Sequence, residues 1–238
     1  MLGRRDVLRG AAGLAAATAI GGLPGAQATT IADHELLKFF DTLALMRATR
    51  RNSRPKPGKV RKWTGPVIVK TRGAGAAAYR DLLQSTLQET SELTGLEFRS
   101  AGGARALDNL ITVYFLTEQE MQRLYGPESK SVCYTHTRGR SGELRYGRIR
   151  VREDFADCLH HEFMHALGFD NHWPGPKKSG IHASSSLAHR NSAERTQGYS
   201  DWDKMAIRML YHPRLRPGTP RSAALIDAAD VATEIAVV

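Results

Sequence analysis

Apolar residues recur along this chain in two periods, one helical and one strand-like. Leu36, Leu37, Phe40, Leu43, Ala44 and Met46 form a helical stripe and predict a helix over residues 31–50. Residues 50–59 are basic, contain Pro55 and Pro57 and follow no period, as an exposed linker would. Residues 63–70 read as a strand, which Pro66 confines to a sheet edge or to the strand start. A long amphipathic helix follows over 76–93, with Leu82, Leu83, Leu87 and Leu93 on its apolar side and Thr94-Gly95 ending it. Residues 96–99 are a short strand, and Asn109 to Leu116, rich in β-branched and aromatic residues, is the strongest strand signal. A short helix over 118–124 closes at Gly126-Pro127. Residues 131–135 and 148–151 predict two more strands, separated by a glycine- and arginine-rich loop over 137–147. A helix over 155–167 precedes an aperiodic stretch, 173–198, long enough to have a function of its own. Residues 200–211 form a helix with Ser200 or Asp201 as N-cap and Trp202, Met205, Ala206, Met209 and Leu210 buried. Pro213 stops it, and residues 223–238 are weakly helical. This mixture predicts an α+β fold.

The helix over 155–167 carries the candidate chemistry. It contains His161-Glu162-x-x-His165, followed by Gly168 and then His172. Residues four apart share a helix face, so both imidazoles can each give a nitrogen to one zinc ion. Glu162, rotated by about 100° from His161, is placed to hold and deprotonate a water rather than to bind the ion. His172 is the candidate third ligand; Asp170, His182, His189 and Glu194 compete with it. Asp157, one turn before His161, is a candidate to orient its ring, as is His182. Tyr199 is a candidate oxyanion donor, with packing as its alternative. His160 cannot share the face of the ligand pair and reads as a solvent-facing or outer histidine.

Composition narrows the setting. The chain has 238 residues and a formal charge of +10, which suits either a solvated basic surface or anionic partners such as cell-envelope polymers. No basic run with interleaved aromatics points to nucleic acid. Cys133 and Cys158 are the only cysteines and lack C-x-x-C spacing; in an exported protein they would pair as a disulfide, otherwise they are buried thiols. Residues 1–28 read as a signal peptide. Gly3-Arg4-Arg5-Asp6-Val7-Leu8-Arg9 resembles the twin-arginine export motif, residues 11–23 are apolar but too short to span a bilayer, and Ala26-Gln27-Ala28 is a small-x-small cleavage site. The expected product is a periplasmic or secreted monomer with no membrane span after cleavage.

The order strand, long helix, strands, HExxHxxG helix, loop and C-terminal helix resembles the metzincin superfamily of zinc metallopeptidases over residues 63–216. Tyr199 to Tyr211 looks like the matrixin-type C-terminal helix that packs under the site. The resemblance implies a single domain with a twisted mixed sheet, a long backing helix, one Zn²⁺ held by His161, His165 and His172, Glu162 as general base, and a peptide or protein substrate. The chain departs from HExxHxxGxxH: Asn171 stands where the third histidine is usual, with His172 one further, and Ser179-Gly180-Ile181-His182 offers no methionine for the turn metzincins place beneath the metal. The chain is also similar to an uncharacterised bacterial domain family sharing the Cys158-Leu-x-x-Glu162 helix and the Leu210-Tyr-x-Pro-Arg-Leu-x-Pro-Gly218 ending. These readings divide the chain into a signal peptide (1–28), an N-terminal helix and basic linker (29–60), a zinc hydrolase domain (61–216) and a tail (217–238). The competing expectation is a non-catalytic zinc or cell-envelope binding domain with a vestigial site. Replacing Arg4 and Arg5 by Lys is expected to leave the precursor in the cytoplasm; cell fractionation showing normal export of that variant would refute the twin-arginine reading.

Overall fold

A computed structural model describes residues 34–47, 55–101, 109–127, 132–173, 185–187 and 198–236. Residues 1–28, read above as a signal peptide, and most of the 173–198 stretch therefore lie outside the described residues. Five strands form one mixed sheet: β3 (Val67–Arg72), β4 (Phe98–Ser100), β5 (Leu110–Leu116), β6 (Cys133–Arg140) and β7 (Glu143–Arg152), after a two-stranded pair β1 (Met46–Arg47) and β2 (Lys56–Pro57). The sheet order is β4-β3-β5-β7-β6, with every pairing parallel except β6 with β7. The helices are α1 (residues 34–40, continuing as a wider turn over Asp41–Leu45), α2 (Arg80–Thr94), α3 (Glu118–Tyr125), α4 (Leu159–Leu167), α5 (Asp201–Tyr211) and α6 (Arg221–Ala236).

Local chemistry explains the boundaries. Pro66 sits just before β3, where its missing N–H costs no ladder bond even though β3 is an inner strand. Gly95 ends α2 in the left-handed region at φ +69°. Thr117 and Glu120 form a capping box on α3, and Ser200 and Asp203 form another on α5. Val67, Val69, Ile111, Val113, Phe115, Ile149 and Val151 alternate along their strands and bury against Leu83, Phe163 and Leu167 of α2 and α4.

Two expectations are corrected. Residues 137–147 are not a loop: β6 and β7 run on as one hairpin closed by Ser141-Gly142, both at positive φ (+53° and +93°). Arginines in the polar half of the alternation and glycines at 139 and 147 hid the strands, while Gly147, Ile149 and Val151 of β7 form its buried half. Nor do the described parts of the N-terminal segment (34–47 and 55–60) and residues 217–236 stand outside the domain. Leu36, Phe39, Phe40 and Leu43 of α1 are in the core, as are Ala224, Ala228, Val231 and Ala232 of α6. The α6 stripe is mostly alanine beside exposed Ala223 and Ala229, so the sequence showed little contrast between faces. Arg221 and Asp41 clasp the two ends with paired hydrogen bonds of 2.7 and 2.6 Å. Among the described residues no helix is long and apolar enough to cross a membrane.

An extended segment, 58–63, threads between the β6–β7 turn and residues 218–221. Val60, Lys62 and their neighbours exchange backbone hydrogen bonds with Gly142, Leu144, Gly218 and Thr219. It carries Trp63, whose Nε1 donates to the Ala166 carbonyl of α4 at 2.9 Å. Lys62 is buried beside it, with Nζ donating to the His212 carbonyl at 3.1 Å, and burial lowers its pKa to about 8. Below pH 8 the ammonium is charged in folded and unfolded chains alike, and the folded chain bears the burial cost. As pH rises from 8 toward the ordinary 10.5, the folded chain sheds its proton first and that cost fades. Denaturant titrations of wild type and Lys62→Met at pH 7 and pH 10 are therefore expected to show wild type gaining about 1–2 kcal/mol relative to the variant at the higher pH, after discounting for solvent screening.

Candidate metal centre

The helix that carries the histidines is set by its apolar residues. Leu159, Phe163, Met164, Ala166 and Leu167 of α4 are buried. That fixes the helix rotation and leaves His161 and His165, one turn apart, on a groove of about 390 Å³ that also reaches Glu162, His172 and the β6 residues Tyr134, Thr135 and Thr137. Gly168 then turns the chain out of the helix at φ +120°. A Cβ there would lie 2.0 Å from the Arg61 carbonyl oxygen, so both the dihedral and the close approach require glycine.

Beyond Gly168 each residue has a partner. Phe169 is fully buried, Asp170 pairs with Arg61, and the Asn171 N–H donates to the Leu43 carbonyl of α1 at 3.3 Å. The Asn171 side chain accepts from the His172 N–H at 3.0 Å. This is how the extra residue is absorbed: Asn171 points into its own turn and His172 reaches the groove.

The three rings converge. His172 Nε2 lies 3.2 Å from both His161 Nε2 and His165 Nε2. Ligands about 2.0–2.1 Å from a tetrahedral zinc ion are separated by roughly 3.3–3.4 Å, so the nitrogens already stand close to the required spacing. His161 Nδ1 is 2.6 Å from the Ser186 carbonyl and His165 Nδ1 is 2.6 Å from the Phe169 carbonyl. A carbonyl only accepts, so Nδ1 carries the proton and Nε2 presents its lone pair. Burial also lowers the His165 pKa, which favours the neutral, ligating form. Among the described residues these three are the one cluster of such side chains able to hold a metal ion.

Glu162 is buried in the same groove, its Oε1 3.9 Å from His161 Nε2. Opposite α4 stands β6, the antiparallel edge strand. It is tied to α4 twice: Cys133 and Cys158 form a disulfide, and Thr135 Oγ1 donates to the Glu162 carbonyl at 3.1 Å.

The Ser186 carbonyl is positioned from α5. Asp203, with no exposed surface, accepts from Ser185 Oγ at 2.6 Å, the Ser186 N–H at 2.8 Å, Ser200 Oγ at 2.9 Å and the Ser200 N–H at 3.1 Å. Burial pushes its carboxyl above the ordinary range, and these four donors pull the other way. One carboxylate thus caps α5 and fixes the strip 185–187. That strip sends one carbonyl to His161 and another, from Leu187, to the Trp173 N–H at 3.0 Å. Phe39 of α1 completes the floor, its ring 5.5 Å from Trp173 and 5.7 Å from Trp202. Sequence reasoning missed Asp203 and Ser186. The Ser200-x-x-Asp203 capping box was the one available signal, since a backbone carbonyl has no residue signature.

Other candidates lie elsewhere. Asp157 is exposed, and the Ser186 carbonyl takes the place foreseen for it. Tyr199 belongs to the seam between α2, α4 and α5: its hydroxyl is 3.0 Å from Thr90 Oγ1 and its ring meets His160 edge-on. His160 is buried in that seam, 3.3 Å from Thr86 Oγ1, rather than solvent-facing. Asp170 is engaged by Arg61. His182, His189, Glu194 and the Ser179–His182 segment lie outside the described residues. Replacing Asp203 by Asn puts an NH₂ group among four donors. Zn²⁺ affinity, measured by chelator competition, is expected to fall about ten- to a hundredfold while far-ultraviolet circular dichroism keeps its folded form.

No curated protein matches this chain. One family model does, over residues 33–225, from just before α1 into the start of α6. The match therefore takes in α1, the ligand helix, the Gly168 turn and the Asp203 cap together. On that coverage the chain belongs to the family described as "Protein of unknown function (DUF2927)".

Proposed function

We propose that this protein is a zinc-dependent metallopeptidase that acts after export, in the periplasm or outside the cell. The observation that carries the reading is the convergence of the Nε2 atoms of His161, His165 and His172 in a groove that also holds a buried glutamate. The element order, the Gly168 turn and the packing of α5 beneath the strip 185–187 support a metzincin-like relationship. The disulfide and the twin-arginine-like N-terminus support export.

His161, His165 and His172 would hold the ion. When bound, zinc lowers the pKa of a water ligand toward about 7 and polarises a substrate carbonyl. Glu162 takes the proton of the attacking water and passes it to the leaving nitrogen. Glu162 is buried in the groove, and its neighbour His161 is held in orientation by the Ser186 carbonyl at Nδ1. Edge strand β6 lines the groove, and an extended peptide can lie along it, its backbone meeting the strand's outer edge.

Two variants test the assignment against a non-catalytic zinc domain. Glu162→Gln is expected to keep one zinc per chain by elemental analysis and to lose about 10²–10⁴ in peptide hydrolysis. His172→Ala is expected to lose most of the zinc. Stoichiometric zinc in wild type with no hydrolysis of any peptide mixture would instead establish a binding role.

A further inference from the structure

A second cavity, of about 720 Å³, opens beside the metal groove and shares Thr137 and Asp170 with it. Its charged lining is four cations, Arg47, Lys59, Arg61 and Arg138, against two acids, Glu143 and Asp170. Both acids are already engaged. Asp170 pairs with Arg61 and lies 3.9 Å from Arg47; Glu143 is 3.3 Å from Arg145, outside the cavity. Lys59 and Arg138 are exposed, and among the described residues neither has a carboxylate partner. Arg138 uses its Nε on His136 Nε2 at 3.0 Å, which leaves its two terminal nitrogens for another acceptor. Burial and the surrounding arginines push the His136 pKa down, consistent with a neutral ring accepting that bond.

The cavity lies along the path of an extended substrate. Thr135, tied to Glu162 of α4, marks the level of the metal site on β6. Arg138 and Gly139 are three and four residues on, roughly 10–13 Å at strand rise. The pairing register shifts between them, and both line the cavity.

We propose that this cavity is a subsite for a carboxylate side chain, so that the preferred substrates are peptides with Asp or Glu three or four residues from the scissile bond. The proposal rests on the peptidase reading for its position along the substrate. Lys59 and Arg138 supply the charge, and the Arg61–Asp170 pair walls the subsite off from the metal groove. The overall excess of cationic residues favours the approach of the same acidic peptides.

The test has two arms. The zinc-loaded protein is given a degenerate peptide library and the products are sequenced by mass spectrometry. Acidic residues are expected to be enriched about fivefold at three or four positions from the cut on one side, the size two exposed ion pairs can supply. In a Lys59→Glu/Arg138→Glu double variant the enrichment is expected to vanish while the protein keeps its zinc and its folded circular dichroism. Cleavage indifferent to acidic residues, or an enrichment surviving the double variant, overturns the subsite. The second arm measures binding of a fluorescent glutamate-containing peptide and its glutamine counterpart to zinc-loaded Glu162→Gln protein. About fivefold tighter binding of the acidic peptide, lost in the double variant and weakened by salt, is expected. Equal affinities overturn the subsite whatever the library shows. Preferential binding without any turnover by the unaltered protein removes the peptidase reading and leaves the anion subsite standing.

Discussion

Three imidazoles gather at one point only if each is stopped from turning, and the site depends on how that is done. For His161 and His165 the stop is a backbone carbonyl on Nδ1, and the two carbonyls come from different segments of the chain. Phe169 supplies one from the turn that follows the helix, at a fixed offset that α4 itself determines. Ser186 supplies the other from a strip with no regular structure, so its position must be imposed. The buried carboxylate of Asp203 imposes it, and α5, α1 and the Trp173 floor are arranged around that requirement. Such a carboxylate is stable in a dry interior only when its acceptor capacity is filled, and here four donors fill it.

The same logic explains why the N-terminal helix and the C-terminal helix belong to the site's architecture. Leu43 of α1 accepts the Asn171 N–H, and Phe39 supports Trp173, so the turn that delivers His172 is braced by a helix some 130 residues earlier in sequence. α6 packs against the same N-terminal helix, and the Asp41–Arg221 clasp closes the arrangement. Removing either end would loosen a ligand without touching it.

Much of this was legible in the sequence, for identifiable reasons. Elements with strong apolar contrast or explicit stop signals, such as β5, α2 with Gly95, and α5 with its Ser200 cap, stand close to where their patterns place them. The ligand spacing is also a local property, because helix geometry alone puts His161 over His165 and Gly168 marks the exit. What the pattern hid falls into two kinds. Strands β6 and β7 carry arginine and glycine where a reader looks for β-branched residues, and α6 buries alanine, so the contrast was weak. The outer partners of the histidines, Ser186 and Asp203, are contacts between distant segments, and one works through a main-chain oxygen that any residue would supply. Asp157 and Tyr199 drew notice because their side chains have chemistry, yet packing turned both elsewhere.

The bond between Cys133 and Cys158 joins the first residue of the groove's far wall to the residue before its near wall. The bond ties the two walls together covalently at one end of the groove. In a reducing compartment the wall would be held to α4 by the Thr135 hydrogen bond and by packing alone, free to breathe. The bond therefore limits how far the two walls of the groove can part.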